Sequence, residues 1–418
     1  MKYGLIGEKL SHSFSPEIHK KIGDYPYELK ELSRNELDFF MTEKDFCAIN
    51  VTIPYKKDVI PYLDVISDEA RNIGSVNTVV NKNGVLYGFN TDFEGLKALV
   101  LRITNGENLS GKVIILGTGG ASLTAVAVAK ALCADEIITV SRSEKDGCVT
   151  YKQALDLHSD ASFIINCTPV GTYPNDFEAP IDLSAFPSLK GVADAVYNPI
   201  RTPLIRQAKS LSIPCEGGLY MLVCQAVFAY GHFFENEVEI ELADKIYAEI
   251  LSEKENIVLV GMPSCGKTSI GKALSVTLRR PFYDSDDEVE SEAGMSASEI
   301  FIRYGEPHFR FLESKVIKRL SSGVTGAVIA TGGGAVLREE NVDLLKGNGR
   351  LIFLDRSLDK LTPTHDRPLS SDTEALVRRY KERYPIYQEV CDDSVDANGS
   401  VTEVAASIIS KIKTKDSL

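Results

Sequence analysis

The chain has 418 residues, 44% apolar and 25% charged, with a formal net charge of −13. These are ordinary globular values at a length that fits two or three domains. They exclude a mostly disordered chain, a collagen-like fibre and a membrane bundle, and the acidic balance argues against nucleic-acid binding through phosphate neutralisation.

In chain order, strand and helix signals alternate almost throughout, which predicts α/β architecture with helices on both sheet faces. Met1 to Gly7 reads as a strand and lacks the apolar core and cleavage site of a signal peptide. No window offers about 18 uninterrupted apolar residues, so no membrane span is expected. The eight cysteines are scattered without a C-x-x-C pair, which fits reduced thiols in a cytoplasmic protein.

The run Ser11-His12-Ser13-Phe14-Ser15-Pro16 opens a helix after the first strand. Ser15 reads as its N-cap and Pro16 as its first helical residue. Hydroxyls beside a helix N-terminus make a carboxylate receptor. Asn50 to Lys56, with Thr52 inside it, ends an apolar strand; Asn77-Thr78 follows in the next strand, and Asn90-Thr91-Asp92 opens another helix. A Lys and an Asp brought together can shuttle an alcohol proton during hydride transfer. The plainer readings are a surface Lys56, an Asp92 that only caps the helix from Phe93, and a Gln225 that is a satisfied core amide.

The strand Val113 to Leu116 runs into Gly117-Thr118-Gly119-Gly120-Ala121 and a helix from Ala121 to Leu132. This is a shortened dinucleotide fingerprint. The next strand ends Ser141-Arg142-Ser143. An Arg flanked by hydroxyls suits the 2′-phosphate of NADP, where NAD would call for an acidic residue. Another buried strand follows at Phe163 to Ile165. Farther on lie Asp194 to Pro199 and Gly217 to Ala226. Together these residues resemble shikimate dehydrogenase through residues 1–250. The resemblance implies Lys56 as proton carrier with Asp92 as its partner, and Ser13 and Ser15 on the substrate carboxylate. It implies Thr52, Asn77, Tyr197 and Gln225 in the rest of the pocket. Gly117, Gly119, Gly120, Ala121, Ser141, Arg142, Ser143, Thr168 and Gly218 are implied as the NADP contacts. Ser141 stands where relatives often carry Asn, and Thr118 replaces the commoner Ala.

A helix from about Glu237 to Leu251 is expected to end in a polar joint, Ser252 to Asn256. After the strand Ile257 to Val260, Gly261-Met262-Pro263-Ser264-Cys265-Gly266-Lys267-Thr268 fits G-x-x-x-x-G-K-[ST] and opens a helix from Ser269. Such a loop turns backbone N–H groups onto phosphate, with Lys267 adding charge and Thr268 a hydroxyl for Mg²⁺. Asp284 and Asp286 follow a second strand. Gly305 to Glu313 comes next, and Thr331-Gly332-Gly333-Gly334 closes a third strand. Arg367-Pro368-Leu369 lies in a polar stretch, and Arg383 to Tyr387 ends a basic helix. This order resembles shikimate kinase across residues 254–418. The resemblance implies Thr268 and Asp284 (through water) at Mg²⁺, and Asp286 on the substrate hydroxyls as proton acceptor. Arg310 and Arg383 are implied on the carboxylate, Gly333 on the ring hydroxyls, and Arg367 as the lid arginine. Ser264, Cys265, Gly266, Lys267, Thr268 and Ser269 are implied with Arg367 as the ATP contacts. Two features depart from the family pattern: Leu361 to Asp366 holds no further lid arginine, and Ser264 replaces a common Gly. Cys265, beside the phosphates, is a candidate for oxidation.

The expectation is a fused two-enzyme chain. Residues 1–252 form a two-lobed dehydrogenase, with a substrate lobe at about 1–105 plus 218–252 and a Rossmann-like NADP lobe at about 106–217. Residues 253–418 form a P-loop, nucleoside-monophosphate-kinase-like parallel-sheet domain. The first half would reduce 3-dehydroshikimate to shikimate with NADPH and the second would phosphorylate shikimate to shikimate 3-phosphate with MgATP, two consecutive steps toward aromatic amino acids. Alternatives are one half inactive as a binding module, quinate as the first half's substrate, or another P-loop phosphotransferase in the second. The expected partners are small molecules, with no nucleic acid, no membrane, and a monomer or homodimer.

Overall fold

The computed structural model describes residues 1–10, 13–173, 177–361 and 373–415. Arg367 and the rest of the expected lid lie outside the described residues. The chain divides into two compact units, Met1–Ile250 and Leu251–Leu418. The polar joint expected at Ser252 to Asn256 takes another form. The helix Ile240–Lys254 runs through most of it, and the strand Asn256–Val260 begins after Glu255. Helix-forming Glu and Lys continue the helix where polarity alone suggested a linker.

The first unit holds two six-stranded sheets. One has the order Glu28–Glu31, Tyr3–Gly7, Ala48–Val51, Thr78–Lys82, Val85–Phe89, Val65–Ile66. Its first three strands are parallel, Thr78–Lys82 is antiparallel to both neighbours, and Val65–Ile66 is parallel to Val85–Phe89. Alternate residues serve opposite faces. Ile6, Ile49, Val79 and Leu86 pack with Leu37, Phe40 and Met41 of the helix Arg34–Glu43. Ala48 and Val80 pack with Ala229 and Phe233 of the helix Gly218–Phe234.

The other sheet is wholly parallel, in the order Cys215–Glu216, Gly191–Asp194, Phe163–Asn166, Lys112–Leu116, Glu136–Ser141, Val149–Thr150. Val113 to Leu116 are fully buried, as expected of a central strand covered on both faces. From Lys112–Leu116 the chain winds first to one side and then to the other. The strand order reverses there, and the carboxyl ends of Lys112–Leu116 and Phe163–Asn166 flank the crevice where such sheets bind ligands.

The second unit is a five-stranded parallel sheet, ordered Phe282–Asp284, Val328–Ala330, Asn256–Val260, Gly349–Asp355, Asp393–Asp396. The helical segment Ala297–Gly323 breaks at Gly305, whose φ of 81° and ψ of 170° are non-helical, just before Pro307. The basic helix does not end near Tyr387. It spans Thr373–Val390 with Pro385 inside it, so Arg383 is anchored by helix on both sides.

Beyond the crevice of the first unit, Asp194 is fully buried. It accepts from Val196 N–H, Asn166 Nδ2 and Thr202 Oγ1 at 3.0, 2.9 and 2.6 Å. Burial outweighs these donors and raises its pKa from 3.8 to about 6. A raised carboxyl contributes most to stability below its unfolded value and loses that contribution as pH climbs through its folded value. Stability of this unit should therefore fall between about pH 4 and pH 6 through Asp194, by at most roughly 3 kcal/mol. Urea unfolding of wild type and Asp194→Asn across that range should show the slope flattened in the variant.

Candidate active sites

Four segments of the mixed sheet meet at one edge. The strands Tyr3–Gly7, Ala48–Val51 and Val85–Phe89 run the same way and end there, and antiparallel Thr78–Lys82 begins there. Ser13 and Ser15, Thr52 and Lys56, Asp92, and Asn77 are thereby brought to the same side. Lys56 Nζ lies 2.5 Å from Asp92 Oδ2, both side chains partly exposed. Asp92 is not the helix cap: the helix is Thr91–Ile103, and Asn90 Oδ1 accepts from Phe93 N–H. Its carboxylate is spent on Lys56.

Ser15 corrects a local expectation. The helix Ser15–Ile22 starts one residue earlier than expected, with Phe14 at the cap and Pro16 in the first turn. Ser13 Oγ accepts the Ser15 N–H at 3.2 Å. Both hydroxyls remain at the helix start. Phe14 packs on Tyr197, ring centroids 5.6 Å apart, and burial raises the Tyr197 phenol. Asn77 is buried, with Oδ1 accepting from Thr91 N–H at 2.7 Å, so its amide nitrogen is left free of that contact. Gln225 Nε2 donates to Leu222 O at 2.9 Å. Its helix packs closely on the helix Thr91–Ile103 because Gly95 leaves room: a Cβ there would meet Met221 O at 2.7 Å.

In the parallel sheet the glycines separate by cause. Gly117 has φ of 107°, a region only Gly enters freely. Gly218 approaches the sheet so closely that a Cβ would collide with Ala195 O. Gly119 caps the helix Gly120–Ala131, and neither Gly119 nor Gly120 would bring a Cβ within 4 Å of any neighbour. Their smallness serves no contact within the protein, so it fits a ligand seated on their backbone. Ala121 lies in the first turn of that helix. Thr168, across the crevice, is turned by Asn166 Oδ1, which accepts both its N–H and its Oγ1. Arg142 and Ser143 are exposed beyond the strand end, and Ser141 Oγ accepts the Ser143 N–H at 3.4 Å. An exposed guanidinium there fits a phosphate on the ribose.

In the second unit, Ser264, Gly266, Lys267, Thr268, Ser269, Asp284, Asp286 and Thr331 line a cavity of 290 Å³. Gly266 caps the helix Lys267–Leu278 with φ of 100°. Ser264 sits at φ 65°, so the residue that replaces a family Gly keeps the backbone that favours one. Lys267 Nζ donates to Gly261 O and Met262 O at 2.8 and 2.9 Å. Thr268 Oγ1 donates to Asp284 Oδ2 at 2.7 Å. This hydroxyl–carboxylate pair suits Mg²⁺, and no group of three or more His, Cys, Asp or Glu that could hold a metal occurs among the described residues. Cys265 is fully buried under the loop, which removes the exposure that oxidation requires.

The glycine loop gathers the acceptor side. A Cβ at Gly332 would meet Asp286 Oδ1 at 2.5 Å and Glu313 Oε1 at 2.6 Å, and one at Gly334 would collide with Arg310 Nη1. Gly333 O accepts from Arg383 Nη1 at 3.1 Å and from the Tyr387 hydroxyl at 2.5 Å. Two guanidiniums and two carboxylates therefore share one loop beside the phosphate cradle. Glu313 has no role in the sequence reading, although its i+3 spacing from Arg310 is a readable signal. It is fully buried and accepts from Arg310 Nη1 at 2.8 Å, while its Oε1 is buried without a hydrogen-bond partner among the described residues. Burial raises the Glu313 carboxyl against the pull of Arg310.

The comparisons agree with this geometry. Residues 5–79 match the family model of the shikimate dehydrogenase substrate binding domain. A shikimate dehydrogenase (NADP(+)) of Clostridium perfringens is 34% identical over 275 residues, covering 59% of this chain and 97% of that protein. The chain belongs to the shikimate dehydrogenase family. Its second unit carries a shikimate kinase domain, whose family model matches residues 263–413. Among solved structures, a chorismate mutase/shikimate 5-dehydrogenase fusion from Clostridium acetobutylicum is 34% identical at TM-score 0.55, covering 59% of this chain and 96% of that one. Shikimate 5-dehydrogenase from Thermus thermophilus, in complex with NADP(H) and shikimate, is 25% identical at TM-score 0.54, covering 60% and 99%.

The cap assignment separates stability from activity at the dehydrogenase site. Asn90→Ala should cost about 1 kcal/mol of stability. Asp92→Asn should cost little, because a partly exposed ion pair contributes at most about 1 kcal/mol. Thermal unfolding of both variants checks this; a larger loss for Asp92→Asn would return the cap to Asp92.

Proposed function

We propose that the first unit reduces 3-dehydroshikimate to shikimate with NADPH and that the second phosphorylates shikimate with MgATP, both in the cytoplasm. The two activities divide between residues 1–252 and residues 253–418. The Lys56–Asp92 pair carries the first assignment. It places a proton donor, held by a carboxylate, at the edge where hydroxyl and amide groups suited to a carboxylate and a ring also meet.

NADPH supplies the hydride to the ring carbonyl carbon. Lys56 gives its proton to the oxygen on that carbon, and Asp92 keeps the ammonium oriented. Ser13 and Ser15 take the carboxylate. Thr52, Asn77, Tyr197 and Gln225 read the ring hydroxyls. Arg142 binds the 2′-phosphate and so selects NADPH over NADH.

MgATP supplies the phosphoryl group in the second unit. Lys267 exchanges its two loop carbonyls for phosphate oxygens, and Thr268 with Asp284 holds the cation. Arg310, fixed by Glu313, and Arg383 pair with the carboxylate. Gly333 and Asp286 hold the reacting hydroxyl, and Asp286 takes its proton. The two units then share one metabolite. An assay on the full chain with 3-dehydroshikimate, NADPH, ATP and Mg²⁺ should oxidise NADPH and accumulate shikimate 3-phosphate by mass. NADPH oxidation that stops at shikimate would sink the kinase assignment.

Two substitutions test the roles. Lys56→Ala should lower dehydrogenase turnover at least 100-fold, on the scale of general acid–base catalysis, and leave kinase turnover intact. Arg142→Ala should raise KM for NADPH about tenfold or more, the scale of one charge-assisted pair, with NADH little changed. Equal losses for the two cofactors would show that Arg142 does not read the phosphate.

A further inference from the structure

Arg356 lies one residue beyond the strand Gly349–Asp355, next to the phosphate loop. That strand pairs with Asn256–Val260 on the side opposite Val328–Ala330. The acceptor side is therefore occupied by Asp284, Asp286, the glycine loop and the two arginines. A triphosphate that presents its terminal phosphoryl group there runs its nucleoside end the other way, over the ends of Gly349–Asp355 and Asp393–Asp396.

Arg356 stands on that path. Its Nη1 is 3.8 Å from where a Cβ of Gly266 would lie, at the start of the phosphate-loop helix. Its Nε is buried with no hydrogen-bond partner among the described residues. The neighbouring groups are committed elsewhere: Asp355 Oδ2 accepts from the Tyr384 hydroxyl, and Asn398 Oδ1 accepts from Ser357 N–H and Oγ. A guanidinium keeps its charge at any ordinary pH. A buried, unpartnered N–H of such a group is costly unless an anion completes it.

We propose that Arg356 is a phosphate-binding residue of the kinase unit, contacting the phosphate nearest the nucleoside. This rests on the reading of the loop as an ATP site. Arg356 then sets nucleotide affinity and takes no part in acceptor capture. The test uses the full-length chain, with thermal unfolding of the second unit, which holds Arg356, as the measure that each variant is folded. Arg356→Met and Arg356→Gln should weaken Mg²⁺–ADP binding by calorimetry, and raise KM for ATP, about tenfold or more. KM for shikimate should stay within about twofold, because Arg356 makes no acceptor contact. Arg356→Lys should recover much of the loss, because it restores the charge. Unchanged ADP affinity in Arg356→Met would overturn the proposal. So would rescue by Gln and not by Lys, which would assign Arg356 to stacking on the base. ADP binding needs no acceptor, so wild type that binds ADP but leaves shikimate unphosphorylated would overturn the acceptor assignment alone.

Discussion

Both units depend on one constraint: parallel strands leave their last carbonyls and the N–H groups of the following helix at the same edge. That edge is polar by construction, while the sheet interior is not. Val113 to Leu116 and Ile257 to Val260 are all but fully buried, so ligands can be met only where the strands stop. Gly117, Thr168 and Gly218 lie just past three strand ends of the parallel sheet, and Gly261, Asp286 and Gly332 just past three of the kinase sheet. The mixed sheet reaches the same result with one reversed strand. Asn77 precedes Thr78–Lys82, and because that strand is antiparallel its beginning falls beside its neighbours' ends.

Positioning at these edges relies on partners that are themselves buried. Asn77 is held by Thr91, Thr168 by Asn166, Asn166 by Asp194, and Arg310 by Glu313. A buried polar group left unpaired loses roughly 1–3 kcal/mol, which keeps each chain of contacts in one arrangement. Asp194 and Glu313 both have raised pKa values because burial dominates. The molecule tolerates that cost in order to fix side chains that face the crevices.

Much of the candidate site is legible in the sequence because its residues follow apolar runs at short, regular distances. Lys56, Asp92, Gly117, Arg142, Lys267, Thr268 and Asp286 could be picked out by a strand that ends and a helix that starts. Legibility stopped at the first turn of helices. Ser15 looked like a cap and Phe14 is the cap; Asp92 could have been a cap and Asn90 is the cap. Ser, Asp and Asn compete for that position with similar energies, so one-residue shifts are not encoded locally. The helix past Tyr387 and the helical Ser252 to Lys254 depart from the sequence expectation for a related reason: Pro385 and a polar run are weak stops when tertiary packing supports the helix.

The sequence by itself determined the alternation of strands and helices, the two phosphate-binding loops and the chemical types available to each site. Those are local properties, set by periodicity and by the conformations glycine alone adopts. Only the tertiary structure decided which of these residues meet. Lys56 and Asp92 are 36 residues apart and touch because two like-directed strands flank a reversed one. Arg310, Arg383 and Asp286 share the glycine loop because the break at Gly305 and the helix around Pro385 aim two distant helices at one strand end. Such contacts are fixed by which apolar faces can be buried together, a requirement of the whole core that no short stretch of sequence states.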